Sequence, residues 1–321
     1  MKITRPHSES GVVLIAVLAG ILLLTMIAFS LSSSVRATSE ELRERKENLQ
    51  AHYLARGAVL SVSWLLSQMS GAKDSVLHPG QQAVDWSLAN GKVHVDLIDE
   101  GGKIDLNRVQ APLLEQLLVA LGHDLEVARP LAASIVDWRD PSSLARWERA
   151  QASGDLLEYD PSHALQSKYG AVEELLNVPG MKPEIFYGRY VRRPDAKVQR
   201  LPGLVDCVTV DSGSPRININ YAAYPVLVAV TGMSTRTADF IVEGRTEKPF
   251  ASVDEVTREF PASLTSGMIS TLTTQNSGTF TLLATGQLSS GVVARIRAVV
   301  KTQGLQNRPF QILRWKDSHV R

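Results

Sequence analysis

Five acidic side chains surround one loop-rich stretch of the sequence and are the candidates for metal ligands. Asp137 and Asp140 come first, and Asp155, Glu158 and Asp160 follow. Calcium takes six to eight oxygen ligands, often from carboxylates in loops. Asp137 and Asp140 are therefore candidate ligands and calcium is the candidate cofactor. A solvated acidic loop without metal is the alternative.

The residue types used in catalysis do not occur in a recognisable arrangement. The seven histidines show no HExxH or other metal-ligand spacing, and the chain has no G-x-S-x-G elbow and no Walker loop. Cys207 is the single cysteine, which excludes an intrachain disulfide and a cysteine zinc site. A lone cysteine is most often a small apolar core residue. We expect no enzymatic activity.

Composition allows a folded chain of one large domain or two to three smaller ones. Of 321 residues 44% are hydrophobic, and 34 Lys and Arg balance 33 Asp and Glu to a net charge of +1. A dedicated nucleic-acid binder normally carries a basic face. The overall balance therefore argues against that class.

One apolar segment dominates the N-terminal part. Val12–Leu31 carries no charge, and no charged side chain occurs between Glu9 and Arg36. About 20 helical residues cross roughly 30 Å of hydrocarbon. Lys2 and Arg5 precede the segment and indicate a cytoplasmic N-terminus under the positive-inside rule. The segment is predicted to span a membrane.

The helix is predicted to continue beyond the membrane, from about Val12 to Met69, because no proline occurs between Pro6 and Pro79. Apolar residues then recur at helical spacing. These residues, the outer stripe, are Leu42, Leu49, Tyr53, Leu60 and Trp64. The C-terminal half of this stripe is expected to pack against the protein's own domain.

The middle of the chain contains an internal repeat. Ile104-Asp105-Leu106-Asn107 matches Ile217-Asn218-Ile219-Asn220, and Pro112 and Pro225 follow each copy at the same spacing. Further matches occur in the same order but with changing gaps, which predicts two related helical modules with different loops. Each asparagine is expected to cap or turn into its helix.

Strands are predicted on both sides of these modules. Val93, Val95 and Leu97 alternate with polar or less buried positions, and three strands follow near residues 279–284, 292–300 and 310–315. They are expected to form a small antiparallel sheet into which the helical modules are inserted. The fold class is α+β, with a long N-terminal helix packed on that sheet.

Motifs distributed in order over nearly the whole chain resemble the K-type minor pseudopilins of type II protein secretion. They are QAHYLARGA, VDLIDEGGKIDLN, DWRDP, VEELLNVPGM, RININYA and the strand Phe310–Trp315. The resemblance implies a pilin-like core with a large all-α insertion of two related SAM-like, helix-hairpin-helix-like modules. It also implies no enzymatic activity.

The same resemblance implies how the N-terminus is processed. A prepilin peptidase is expected to cleave between Gly11 and Val12 and to methylate Val12. The fifth position counted from Val12 is Ala16, where pilins usually carry a glutamate. This departure is expected of the tip subunit. Ser142 and Ser143 stand where the family tends to have further carboxylates, which weakens the calcium prediction.

The function implied is that of a minor pseudopilin at the pseudopilus tip. Its expected partners are the I-type and J-type minor pseudopilins, with the H-type and the major pseudopilin as further partners, the prepilin peptidase and inner-membrane lipid. It is expected to nucleate and cap the filament and to limit its length during export of folded proteins. The predicted location is a single pass through the bacterial inner membrane, with the C-terminal domain in the periplasm.

The predicted division of the chain follows from these assignments. Its parts are the leader (1–11), the membrane segment (12–31), the periplasmic half of the helix with the first strands (32–102), the first helical module (103–200, with a loop insertion at 141–170), the second helical module (201–276) and the C-terminal strands (277–321).

A membrane-tethered DNA-uptake receptor is the alternative function. The stretch from Ile217 to Phe250 resembles the helix-hairpin-helix module of competence DNA receptors, whose Gly-x-Gly turn approaches phosphate. The turns expected here, Gly232-Met233-Ser234 and Gly180-Met181-Lys182, lack the second glycine. Residues 216–260 hold five basic and six acidic side chains. Nucleic acid is therefore not an expected partner, and a protein-interaction scaffold is favoured.

Overall fold

The computed structural model describes residues 9–68, 77, 80–140, 142, 167–192, 198–232, 234–261, 264–306 and 308–318. In chain order its elements are α1 (Glu9–Gln68), β1 (Ala83–Leu88), β2 (Gly91–Asp99), the 3₁₀ helix η1 (Glu100–Gly102), β3 (Ile104–Asp105), α2 (Ala111–Ala120), α3 (Leu125–Trp138), the 3₁₀ helix η2 (Val172–Asn177), α4 (Pro183–Tyr187), β4 (Arg189–Arg192), β5 (Val198–Leu201), α5 (Leu204–Cys207), β6 (Val208–Thr209), β7 (Ile217–Asn218), α6 (Tyr224–Val230), α7 (Thr235–Glu247), α8 (Asp254–Glu259), α9 (Ser266–Thr271), β8 (Leu272–Thr273), β9 (Thr279–Leu288), β10 (Val293–Lys301) and β11 (Gln311–Ser318).

The long helix α1 is continuous over 60 residues, which corresponds to about 90 Å. Its apolar first half passes directly into a charged segment. There Arg45 pairs with Glu41 at 2.6 Å and Arg43 with Glu47 at 3.0 Å. Such pairs four residues apart support an exposed helix. The prediction of one unbroken helix is confirmed.

The C-terminal part of α1 packs on a five-stranded antiparallel sheet of order β1-β2-β9-β10-β11. Inward-facing residues such as Val95, Leu282 and Ile296 form one hydrophobic core with the helix. The helical region is inserted between β2 and β9, which are neighbours in the sheet. The predicted α+β fold class is confirmed. The sequence analysis missed the edge strand β1 and placed β11 a little early.

The face of α1 that meets the sheet is not the predicted one. The residues buried against the sheet are Ala51, Ala55, Ala58, Val59, Val62 and Leu66. The outer stripe is exposed instead: Tyr53 keeps 59% and Trp64 53% of its surface. The expected packing of its C-terminal half was therefore wrong.

Close approach of helix and sheet explains this outcome. A Cβ added to Gly286 in β9 would lie 2.7 Å from both the Ala51 oxygen and the Ala55 nitrogen. Only small side chains fit at such a contact. At 100° per residue, Tyr53, Leu60 and Trp64 fall on the opposite side of the helix from Ala51 and Ala55. The large apolar residues therefore point away from the sheet.

The helical region has its own hydrophobic core, and the two modules follow the predicted repeat. In the first, β3 pairs in parallel with β6, and in the second β7 pairs in parallel with β8. Pro112 and Pro225 lie in the first turns of α2 and α6, as expected. The closing strand of the first module, β6, lies beyond the predicted boundary at residue 200.

Candidate assembly interface

The processing position predicted from the sequence lies at the start of α1. The backbone of Gly11 and Val12 is helical, and Val12 is the first side chain that the structure describes in this helix. Cleavage between these two residues stays a prediction. Ala16, the fifth position counted from Val12, places a small apolar side chain where the resemblance expects a carboxylate.

The N-terminal half of α1 is long and apolar enough to cross a membrane. None of the side chains in the apolar window is buried by the rest of the protein, and large residues such as Leu24 and Phe29 are exposed. This exposure is what a lipid-facing segment requires. The segment therefore fits a membrane anchor.

The outer stripe continues the exposed apolar surface of α1 toward the head of the protein. Leu42 and Leu49 lie before the sheet begins, and Tyr53, Leu60 and Trp64 lie on the far side of the helix where it packs on the sheet. Soluble surfaces rarely leave large apolar residues in one contiguous row. One helix thus contacts its own sheet on one side and presents an apolar row on the other.

A buried carboxylate, that of Asp99, joins the sheet to the helical region. It accepts hydrogen bonds from the Gly101 nitrogen at 2.9 Å, from Asn218 Nδ2 at 2.9 Å, and from both the backbone nitrogen and the hydroxyl of Ser277. Burial raises the pKa of Asp99, and the hydrogen bonds from Ser277, Gly101 and Asn218 act in the opposite direction. Asp99 is the last residue of β2, so it holds the junction from which the helical insertion departs.

A second polar link ties the far edge of the sheet to the first module. Arg314 in β11 pairs with Asp211 at 3.0 Å and donates to the Gly170 oxygen at 2.9 Å. Glu100 accepts from Lys103 at 2.8 Å and from Thr281 of β9 at 2.6 Å. Together with Asp99 these contacts hold the helical region on the sheet through satisfied polar groups.

The repeat asparagines lie in the turns that lead into α2 and α6, as one of the two predicted roles requires, but they do not cap these helices. The N-caps of α2 and α6 are Gln110 and Ala223, without side-chain cap bonds. Asn107 instead exchanges two hydrogen bonds with the backbone of Tyr169, at 3.0 and 2.8 Å. Asn220 does the same with Phe250, at 3.0 and 2.9 Å.

The two asparagines do not cap helices because each of them holds a distant loop against its module. A side-chain amide carries both a donor and an acceptor, so it can satisfy both polar groups of one backbone residue. The partners Tyr169 and Phe250 each lie five residues before a glutamate, Glu174 or Glu255, that the repeat had matched. That spacing is the signal that could have identified them.

Replacing Asn220 with alanine is expected to destabilise the fold by about 2–3 kcal/mol, because it leaves the buried N–H and C=O of Phe250 without partners. Asn107→Ala is the matched control. Asn107 is less buried than Asn220, so its loss should cost about 1 kcal/mol. Urea unfolding of both variants in neutral detergent measures the difference. Equal losses would contradict the assignment.

The helix-hairpin turns are only partly as predicted. The hairpin of the first module is α2–α3, whose turn contains Gly122, and that of the second is α6–α7, whose turn contains Gly232. Gly180 also lies in a turn between two helices, η2 and α4, with a φ of +84°, but this turn is separate from the α2–α3 hairpin. When the two repeats are aligned, the hairpin α2–α3 corresponds to α6–α7. Gly122, and not Gly180, is therefore the counterpart of Gly232.

The turns of both hairpins carry groups that disfavour a phosphate. In the first, Asp124 places a negative charge at the N-terminal end of α3. In the second, the Ser234 hydroxyl accepts from the Thr237 nitrogen at 3.2 Å, which occupies one of the amides that an anion would use.

The candidate calcium ligands lie at the end of α3. The Asp140 nitrogen donates to the Asp137 oxygen at 3.0 Å, and Asp140 Oδ1 accepts from both the nitrogen and the hydroxyl of Ser142 at 2.9 Å. Asp155, Glu158 and Asp160 lie outside the described residues, as does Ser143. The described residues contain no group of three ligands that could hold a metal ion. Two carboxylates fall short of the six to eight oxygens of calcium, so the calcium site stays a prediction.

Cys207 is a buried residue of the helical core, as expected of a lone cysteine. Burial raises the pKa of its thiol to about 12. The thiolate is the reactive form of cysteine, so this side chain is chemically inert at neutral pH.

Comparisons with known proteins agree with this geometry. No family model matches the chain. It is 24% identical over 278 residues to the type II secretion system protein K of Pseudomonas aeruginosa, an alignment that spans 78% of this chain and 77% of that protein. The resemblance predicted from the motifs is thereby confirmed.

The fold is similar to that of a solved chain. In the crystal structure of the GspK-GspI-GspJ complex from the enterotoxigenic Escherichia coli type 2 secretion system, one chain matches with a TM-score of 0.57 at 15% sequence identity. The match covers 88% of this chain and 99% of that one. At this identity the likeness concerns the fold.

Proposed function

We propose that this chain is a K-type minor pseudopilin of a type II protein secretion system, a structural subunit without enzymatic activity. The observation that carries the proposal is the exposed apolar face of α1, which runs from the membrane-length segment through the outer stripe to Trp64. In the described part of the chain the large side chains of this face stay exposed, while the opposite face of the helix packs on the sheet. Its similarity to a protein K over most of both sequences supplies the family.

The assembly partners are the I-type and J-type minor pseudopilins, with the H-type and the major pseudopilin as further neighbours. Helices of this length and polarity pack side by side when each buries its apolar row against the next. Support for the I-type and J-type partners comes from the solved complex that contains the structurally similar chain.

Capping of the filament and control of its length follow from the shape of the subunit. The helical insertion adds a second, separately packed core to the head. The volume of this insertion in the head obstructs the addition of further subunits above this one. A carboxylate in the bilayer is costly unless it is paired with a positive charge. Because Ala16 is uncharged, this subunit needs no pairing partner in a further subunit above it.

The orientation proposed for the chain places its N-terminus in the cytoplasm and its head in the periplasm. Lys2 and Arg5 support it. In this orientation the prepilin peptidase would cut between Gly11 and Val12 at the membrane surface, which is where those residues meet the apolar segment.

Co-purification of the full-length chain from membranes tests the function. The chain is expressed with and without the I-type and J-type subunits of the same organism and recovered in neutral detergent. We expect both subunits in stoichiometric amounts. Recovery of the chain alone, combined with salt-sensitive binding of duplex DNA in a gel shift, would contradict the proposal and favour the DNA-uptake alternative.

A further inference from the structure

One small hairpin stands apart from both hydrophobic cores. Its strands, β4 and β5, form a two-stranded antiparallel sheet of their own, and among the described residues they pair with no other strand. An isolated two-stranded hairpin is marginally stable in water unless something covers it. Within the described part of the chain, no element covers its outer face.

That outer face is apolar and basic. Register places Tyr190 opposite Arg200 and Arg192 opposite Val198, and side chains two residues apart in a strand share a face. Tyr190 exposes 73% and Val198 63% of its surface. The eight residues of the two strands include three arginines and no acidic residue.

Of the two arginines on this face, one is paired with a carboxylate and one is not. Arg200 is paired, because its Nη2 lies 2.8 Å from Asp206 Oδ2. No carboxylate of the described residues pairs with Arg189 or Arg192. The hairpin therefore presents free positive charge beside a large aromatic ring.

The two strands approach each other closely at the base of the hairpin. Gly188 has a φ of +80°, and a Cβ there would lie 2.1 Å from the Leu201 oxygen. A Cβ on Gly203 would lie 2.2 Å from the Gly188 nitrogen. The two glycines thus allow the two strands to meet at the base of the hairpin. There Arg200 also donates a hydrogen bond to the Tyr187 oxygen at 2.8 Å.

We propose that the face formed by Tyr190, Arg192, Val198 and Arg200 is a docking site for a polypeptide that presents a carboxylate beside an apolar or aromatic side chain. Exposed tyrosine and arginine are the residues most enriched in the centres of protein interfaces. The positive charge of Arg192 is complementary to a carboxylate, and its guanidinium can donate two parallel hydrogen bonds to the two carboxylate oxygens.

Nucleic acid fits this face less well than a protein does. Binding to phosphates depends on several neutralised charges, whereas Arg192 is the one arginine on this face without a carboxylate partner among the described residues. Tyr190 and Val198 add an exposed aromatic ring and an exposed apolar side chain to the face. The site is distinct from the outer stripe on α1, so the proposal does not depend on the assembly of the pseudopilus.

Binding of an acidic polypeptide that carries tyrosine provides the test. The full-length chain in phosphatidylcholine nanodiscs is titrated against a fluorescent random copolymer of glutamate and tyrosine, and against polyglutamate, duplex DNA and phosphatidylglycerol vesicles. We expect the copolymer to bind at least fivefold more tightly than any of the other three. Arg192→Glu should weaken copolymer binding at least tenfold and Tyr190→Ala at least fivefold.

Arg216→Glu is the matched control, because Arg216 is an exposed arginine of the second module that lies outside the hairpin. It should change copolymer binding less than twofold, and all variants should keep the wild-type thermal midpoint. Arg192→Gln separates loss of charge from repulsion and should weaken binding by an intermediate factor. The proposal is overturned if the wild type does not bind the copolymer, if Arg192→Glu binds it within twofold of wild type, or if DNA or the anionic vesicles bind more tightly than the copolymer.

Discussion

Replacing Asp99 with alanine is expected to lower the free energy of unfolding by about 3–5 kcal/mol. The carboxylate has no exposed surface, and the donors from Gly101, Asn218 and Ser277 converge on it. Each buried donor left without an acceptor costs about 1–3 kcal/mol. Because Asp99 lies where the helical insertion leaves the sheet, its loss should destabilise both parts together.

Urea unfolding of the full-length chain in neutral detergent measures this effect. Asp96→Ala is the matched control, since Asp96 lies on the same strand but has a half-exposed side chain, which contacts His94 at 3.0 Å. An exposed ion pair contributes about 0–1 kcal/mol. Asp99→Asn keeps one acceptor oxygen, so its loss of unfolding free energy should lie between those of Asp99→Ala and Asp96→Ala. A loss below about 1 kcal/mol for Asp99→Ala would show that this carboxylate does not hold the junction.

The second large effect concerns partner binding rather than stability. Leu49→Glu combined with Leu60→Glu is expected to reduce recovery of the I-type and J-type subunits at least tenfold. Burying one such side chain contributes about 1.5–3 kcal/mol, and about 1.4 kcal/mol is a factor of ten in binding. Both residues are exposed in the single chain, so its thermal midpoint should stay near the wild-type value.

Gln50→Glu is the control for this variant, because it adds a charge to an exposed position of the same helix that lies outside the outer stripe. Partner recovery with Gln50→Glu should equal that of the wild type. Unchanged recovery with the double variant would exclude the outer stripe as the assembly surface. A large fall in thermal stability of the double variant would instead mean that the stripe packs within its own chain.

Patterns local in sequence predicted the elements of the fold well. The absence of proline between Pro6 and Pro79 predicted the continuous α1, and the alternation around Val95 predicted β2. The repeat predicted two modules because the same short motif precedes each helix pair. In these cases the signal and the structure that it specifies lie within a few residues of each other.

The contacts between elements could not be predicted in the same way. The large outer stripe looked like a core, but the approach of Gly286 to Ala51 and Ala55 selected the small face of α1. Asn107 looked like a cap, but its partner Tyr169 is 62 residues away. Which side chain meets which backbone depends on packing distances that neither spacing nor composition contains.

The intact mass of the membrane-extracted protein tests the central claim most directly. The wild type and Gly11→Ala are each expressed with and without the prepilin peptidase. A pilin-type subunit predicts that the wild type loses residues 1–11 and gains a methyl group only when the peptidase is present. Gly11→Ala should remain at full length under both conditions. A wild type that keeps its full mass beside an active peptidase would contradict the account.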